Sequence, residues 1–237
     1  MAKRVTTGQI KRLLEIDSEG LGIGEEVQEL ILRITSGGVA GIFGDPRVIQ
    51  AKRYWDLGAG QKLDKKSFKE YLAEIPEIPA GLLSDDPAYP YLVLVEPRIG
   101  LTKLCRLGNV AYEGDDNTFV PYDDRHADPT QPSWTRIQDG RRNRNRPSNE
   151  CRQSFAKDEL GNTGLIGVCA YLQHPGVVTD LYQGDKGHAM DLPGSVRRGK
   201  RDQSLCLYVQ DGRAELIWYF NDSASPRYGS ASRRECK

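Results

Sequence analysis

The spacing of apolar residues changes character along the chain. In the first third the period is helical. Ile10, Leu13 and Leu14 open one apolar stripe, and Val27, Leu30, Ile31 and Ile34 follow i, i+3, i+4, i+7 spacing until Gly37-Gly38 stops the helix. A third helix is expected from Asp45, a capping residue, through Pro46 at the first helical position to Gly58, with Val48, Ala51 and Trp55 on one face. A fourth starts after Asp64 and aligns Phe68, Tyr71, Leu72 and Ile75. Four prolines in "IPEIPAGLLSDDPAYP" (75–90) then break the periodicity. They set the expected division into a helical part, 1–84, and a mixed part, 85–237, which can also fold as a single domain.

Past that break the patterns shorten. "YPYLVLVEPR" (89–98) is a continuous apolar run closed by proline on both sides, which predicts a buried strand, and a short helix with Leu101, Leu104 and Cys105 follows. "NVAYEGDDNTFVPY" (109–122) reads as two short strands around an acidic loop. "GNTGLIGVCAYLQHPG" (161–176) predicts a helix capped by Asn162 or Thr163, carrying Leu165, Val168, Cys169 and Leu172 on one face and ended by Pro175. "SLCLYVQDGRAELIWYF" (204–220) predicts a hairpin turning on Asp211-Gly212, because a type I′ turn needs two residues that accept positive φ. Its register puts Gln210 opposite Arg213, Val209 opposite Ala214, Leu207 opposite Leu216 and Leu205 opposite Trp218, an apolar face expected in the core. The fold class is therefore α+β: a helical N-terminal part, then a mixed part with an antiparallel hairpin.

The word Gln-Asp-Gly-Arg occurs twice, at 138–141 and 210–213. The second copy sits in the hairpin turn. The first follows an expected strand, Trp134 to Ile137, but leads into "RRNRNRPSNE" (141–150), which offers no apolar residue for a return strand. The repetition is read as recurring turn chemistry, with no duplication.

Composition adds bounds. Apolar residues are 38% and charged residues 28% of 237, enough to bury a core without disulfide staples. The five cysteines are scattered with no C-x-x-C pair, which suits a reduced, cytoplasmic protein. No apolar run approaches the roughly 18 residues of a spanning helix, so no membrane partner is expected. No cofactor is expected either, since the chain holds no G-x-x-x-x-G-K-[ST], and "GLGIG" (20–24) has no strand before it. Net charge is zero but unevenly placed: residues 1–130 carry 16 basic and 21 acidic side chains, a net of −5, leaving +5 on the remainder.

That excess lies in two runs, which nominate Arg141, Arg142, Arg144 and Arg146, then Arg197, Arg198, Lys200 and Arg201, as an anion-binding surface. Guanidiniums bind phosphates bidentately, so RNA or DNA is a sensible partner. The plainer reading of the first run is a solvated loop that pairs with the acidic half of the chain. A small enzyme, such as a hydrolase using His188, Asp191 and Ser195, is the rival, and a protein–protein interaction module is a third reading. Whether the chain is an enzyme, and its oligomeric state, are left open by the sequence. Asp123, Asp124, His126 and Asp128 are metal-ligating residue types, but their spacing matches no defined metal loop and a solvated loop is the better reading.

Four phrases carry a resemblance: "YPYLVLVEPRIGLTKL" (89–104), "DELGNTGLIGVCAYLQHP" (158–175), "HAMDLPGS" (188–195) and "YGSASR" (228–233). They resemble a broad group of uncharacterised bacterial proteins of unknown function, over about the C-terminal two-thirds. The resemblance implies a soluble bacterial protein and no particular activity. It leaves "DLPGS" and "GSASR" to be read as Asx- and Ser-type turns or as a shared site.

Overall fold

A computed structural model describes residues 45–234, and the helices expected before residue 38 lie outside the described residues. From Arg47 onward the chain forms one compact α+β unit built on two sheets. The first is antiparallel, in the order β1 (Tyr91–Val95), β4 (Ser133–Gln138), β10 (Ser232–Arg234), β5 (Glu159–Gly161). The second runs β2 (Val110–Ala111), β8 (Arg213–Phe220), β7 (Lys200–Gln210), β6 (Ala189–Arg197), β3 (Phe119–Pro121), with β9 (Tyr228–Ser230) parallel to β6.

The helices are α1 (Pro46–Asp56), α2 (Ala59–Lys62), α3 (Phe68–Ala73), α4 (Ala80–Leu83), α5 (Leu101–Leu107), α6 (Ser148–Ser154) and α7 (Gly164–Gln173). Helix α7 is central. It packs on β1 to one side and on β6 and β7 to the other, so residues 164–170 are all buried. A helix reading "GLIGVCA" with no polar face needs such a place. Thr163 caps it, accepting from the Ile166 N–H at 3.4 Å.

Helix α1 forms as expected, but it buries Gln50, Ala51 and Tyr54, while Val48 is 36% exposed. The Gln50 side chain donates to the Leu92 carbonyl and accepts from the Leu94 N–H, both at 2.7 Å, and the Tyr54 hydroxyl donates to the Leu94 carbonyl at 2.8 Å. These bonds satisfy the edge of β1 that no strand covers. A count of apolar residues cannot see a glutamine used this way. Contacts also cross residue 84: Tyr71 donates to Glu96 at 2.9 Å, and the Trp134 indole N–H donates to the Pro76 carbonyl at 2.9 Å.

The two short strands at 109–122 both form, yet they do not pair with each other. β2 lies parallel to β8 at one edge of the second sheet and β3 antiparallel to β6 at the other, so the acidic loop between them spans the sheet. The β7–β8 hairpin has the expected register, with Asp211 at φ 51° and Gly212 at φ 73°. One expectation is overturned here: Trp218 is 43% exposed. Helix α7 covers β6 and β7, and the far end of β8 runs past it.

Three of the four resembling phrases meet at a seam between the sheets. The Gly194 N–H donates to the Asn162 carbonyl at 2.9 Å, the Asn162 N–H to the Ala231 carbonyl at 3.0 Å and the Ala231 N–H to the Asp191 carbonyl at 2.9 Å. "DLPGS" and "GSASR" are thus strand segments of β6 and of β9–β10, not turns. A Cβ on Gly194 would stand 2.3 Å from the Gly161 carbonyl oxygen, so the close crossing demands glycine.

Candidate functional site: an aromatic and arginine groove

The structure does not assemble His188, Asp191 and Ser195. His188 is fully buried, and both ring nitrogens are engaged. The Arg144 Nε–H donates to Nδ1 at 3.2 Å; arginine cannot accept, so the ring proton is on Nε2 and donates to the Asp139 carbonyl at 2.8 Å. Burial pulls the His188 pKa down to about 4, leaving a neutral structural imidazole. Ser195 accepts from the Gly164 N–H at 2.9 Å at the start of α7. Asp191 lies on the opposite face of its sheet, beside Cys206 and Tyr219, where burial pushes its carboxyl up to about 7. Neither Asp191 oxygen has a hydrogen-bond partner of normal geometry. His174, at the C-terminus of α7 where the helix dipole would favour its charged form, is instead pulled down to about 4 by burial while it bonds the Leu92 carbonyl at 2.7 Å.

The first basic run is spent inside the fold. Arg141 pairs with Asp139 and donates to the Gly176 carbonyl at 3.1 Å. Arg142 pairs with Glu159 and lies 5.0 Å over the Tyr89 ring. Arg144 holds His188 and donates to the Gly187 carbonyl at 2.9 Å, and Arg146 donates to Ser154 at 3.0 Å. In the acidic loop, His126 is buried with Nδ1 bonded to Asp123 at 2.6 Å, Asp128 accepts from Thr163, and Asp124 is exposed. Among the described residues no group of three or more His, Cys, Asp or Glu is arranged to hold a metal ion.

The second run has different neighbours. The exposed turn that carries Arg198, Lys200 and Arg201 joins β6 to β7. Arg198 donates to the Asn117 carbonyl at 3.0 Å, and Arg201 lies 4.8 Å over the Tyr122 ring. Arg197 donates to Gln203 at 3.0 Å and sits 4.8 Å over the Trp218 ring. Trp218 and Phe220, which is 51% exposed, pack edge to face at 6.4 Å. They border a groove of about 630 Å³ whose walls include Phe119, Arg197, Arg213 and Trp218, with Glu113 and Glu215 on the same lining. A groove of this make-up offers rings for stacking, guanidiniums for anions and carboxylates that accept from amino groups.

Arg213, Trp218 and Phe220 were not singled out as site residues from the sequence. The available signal was the alternation Leu216, Trp218, Phe220, which reads equally well as core. Known proteins supply no guide to the site: no family model, curated protein or solved structure matches this chain.

Proposed function

We propose that this chain is a binding protein for an anionic partner with accessible planar rings, single-stranded RNA or DNA, and that the groove at the free end of β8 is where it binds. The observation that carries the reading is the exposed Trp218–Phe220 pair with the Arg197 guanidinium laid over the indole. Bases stack on aromatic rings and on guanidinium planes, and each stacked base contributes about 1–3 kcal/mol. Arg213 in the groove and Lys200 on the neighbouring turn supply positive charge for phosphates. A duplex hides its bases, so a single strand is favoured. The Arg141–Arg146 loop has no part in this reading.

Fluorescence anisotropy with labelled single-stranded RNA and duplex DNA, at low and near-physiological salt, tests it. The single strand binds more tightly than the duplex, and binding weakens as salt rises. Trp218→Ala loses roughly tenfold in affinity or more, the equivalent of one lost stacking contact. No binding of either nucleic acid at low salt ends the proposal.

A further inference from the structure

A second cleft, of about 320 Å³, lies against the first sheet where β1, β4, β5 and α7 meet the segment 125–129. Its charged lining residues are Arg125, Arg233 and Arg234, and among the described residues no carboxylate lines it. Arg233 is nine-tenths buried, and it belongs to the "GSASR" phrase. The guanidiniums are fixed by backbone and side-chain bonds: Arg125 to the Lys157 carbonyl at 2.7 Å, Arg233 to the Gly161 carbonyl at 2.9 Å and Arg234 to Asp86 at 3.1 Å. Such anchoring holds positive charge in place without further ordering cost.

The cleft also holds an unused donor. Thr135, on β4, lines it, is more than nine-tenths buried, and its hydroxyl has no hydrogen-bond partner. A buried hydroxyl left unsatisfied is unfavourable, and its persistence beside three guanidiniums is explained by a ligand that accepts from it. The remaining walls, Val95, Pro129, Leu160 and Ile166, are apolar.

We infer that this cleft is a binding site for a small organic anion, a carboxylate or phosphate ester with a short apolar body. The anion faces the guanidiniums and the Thr135 hydroxyl, and the body lies on the apolar walls. The volume is at the lower end for small-molecule sites, which sets the ligand's size. This site is independent of the Trp218 groove, since the two share no lining residue.

Isothermal titration calorimetry on the full chain at low salt, with phenyl phosphate, benzoate and neutral benzyl alcohol, tests the assignment. The two anions bind saturably and benzyl alcohol does not. Arg125→Ala weakens phenyl phosphate about tenfold and Thr135→Val about fivefold, as expected for lost hydrogen bonds to a charged group. Both variants fold, because Arg125 is exposed and Thr135→Val is isosteric and removes a hydroxyl with no partner. Trp218→Ala binds phenyl phosphate as the wild type does. The assignment is overturned by an absence of saturable binding, by equal binding of benzyl alcohol, by full-strength binding in either cleft variant, or by loss of binding in Trp218→Ala, which would move the anion to the groove.

Discussion

The two Gln-Asp-Gly-Arg words, identical in four letters, meet opposite fates. At 138–141 every residue is drawn inward. Gln138 donates to the Ser230 carbonyl at 2.9 Å and accepts from the Gly140 N–H at 2.6 Å, the Asp139 carboxylate takes Arg141 and the Tyr91 hydroxyl, and the Asp139 carbonyl takes His188. At 210–213 the same letters turn a hairpin in solvent, and Arg213 reaches the groove. The glycines show the difference most sharply. Gly140, at φ +96°, would put a Cβ 2.0 Å from the Gly229 carbonyl oxygen, whereas Gly212, at φ +73°, faces open space. A short motif fixes which backbone conformations are cheap; its surroundings decide whether it becomes scaffold or surface.

The largest contrast should therefore come from glycine. Gly140→Ala combines positive φ with a backbone clash and is expected to cost about 4 kcal/mol or prevent folding, while Gly212→Ala carries only the positive-φ strain, about 1 kcal/mol. Urea denaturation of the two variants reads this directly, and equal costs would erase the distinction between the copies.

Acid should strike the first region next. His188 bonds the Asp139 carbonyl and has a folded pKa of about 4, below the ordinary histidine value near 6.5, so the unfolded chain binds the extra proton between those limits. Stability is thus complete above pH 6.5 and is lost as pH falls toward 4, by about 3 kcal/mol. Asp191, whose carboxyl is raised to about 7, acts with the opposite sign over an overlapping window: its share is present at low pH and lost as pH rises toward 7. The histidine effect is therefore read as the wild type minus His188→Gln across pH 4 to 7. A flat difference would mean that His188 is not held neutral by the fold.

The smallest contrast is between single arginines of the two runs. Arg144→Ala leaves buried His188 Nδ1 without its donor and is expected to cost about 2 kcal/mol, whereas Arg198→Ala, on the exposed turn, changes stability by less than about 0.5 kcal/mol. Thermal denaturation of the pair suffices. Equal losses would put the second run inside the fold with the first and weaken the case for it as a binding surface.

Local rules, acting over a few residues, determined much of this molecule from the sequence alone. They include the Pro46 helix start, the Thr163 cap, the buried β1 run and the complete register of the 204–220 hairpin, because period, capping and turn chemistry depend on near neighbours. The α+β class follows from those elements. Only the tertiary structure decided that β2 and β3 lie on opposite edges, that Gln50 stitches α1 to β1, and that three distant phrases meet at one seam. It also decided that Trp218 lies beyond the cover of α7 while the four arginines of the first run turn inward. Burial and pairing between residues far apart in the chain depend on which surfaces meet, and no local pattern encodes that.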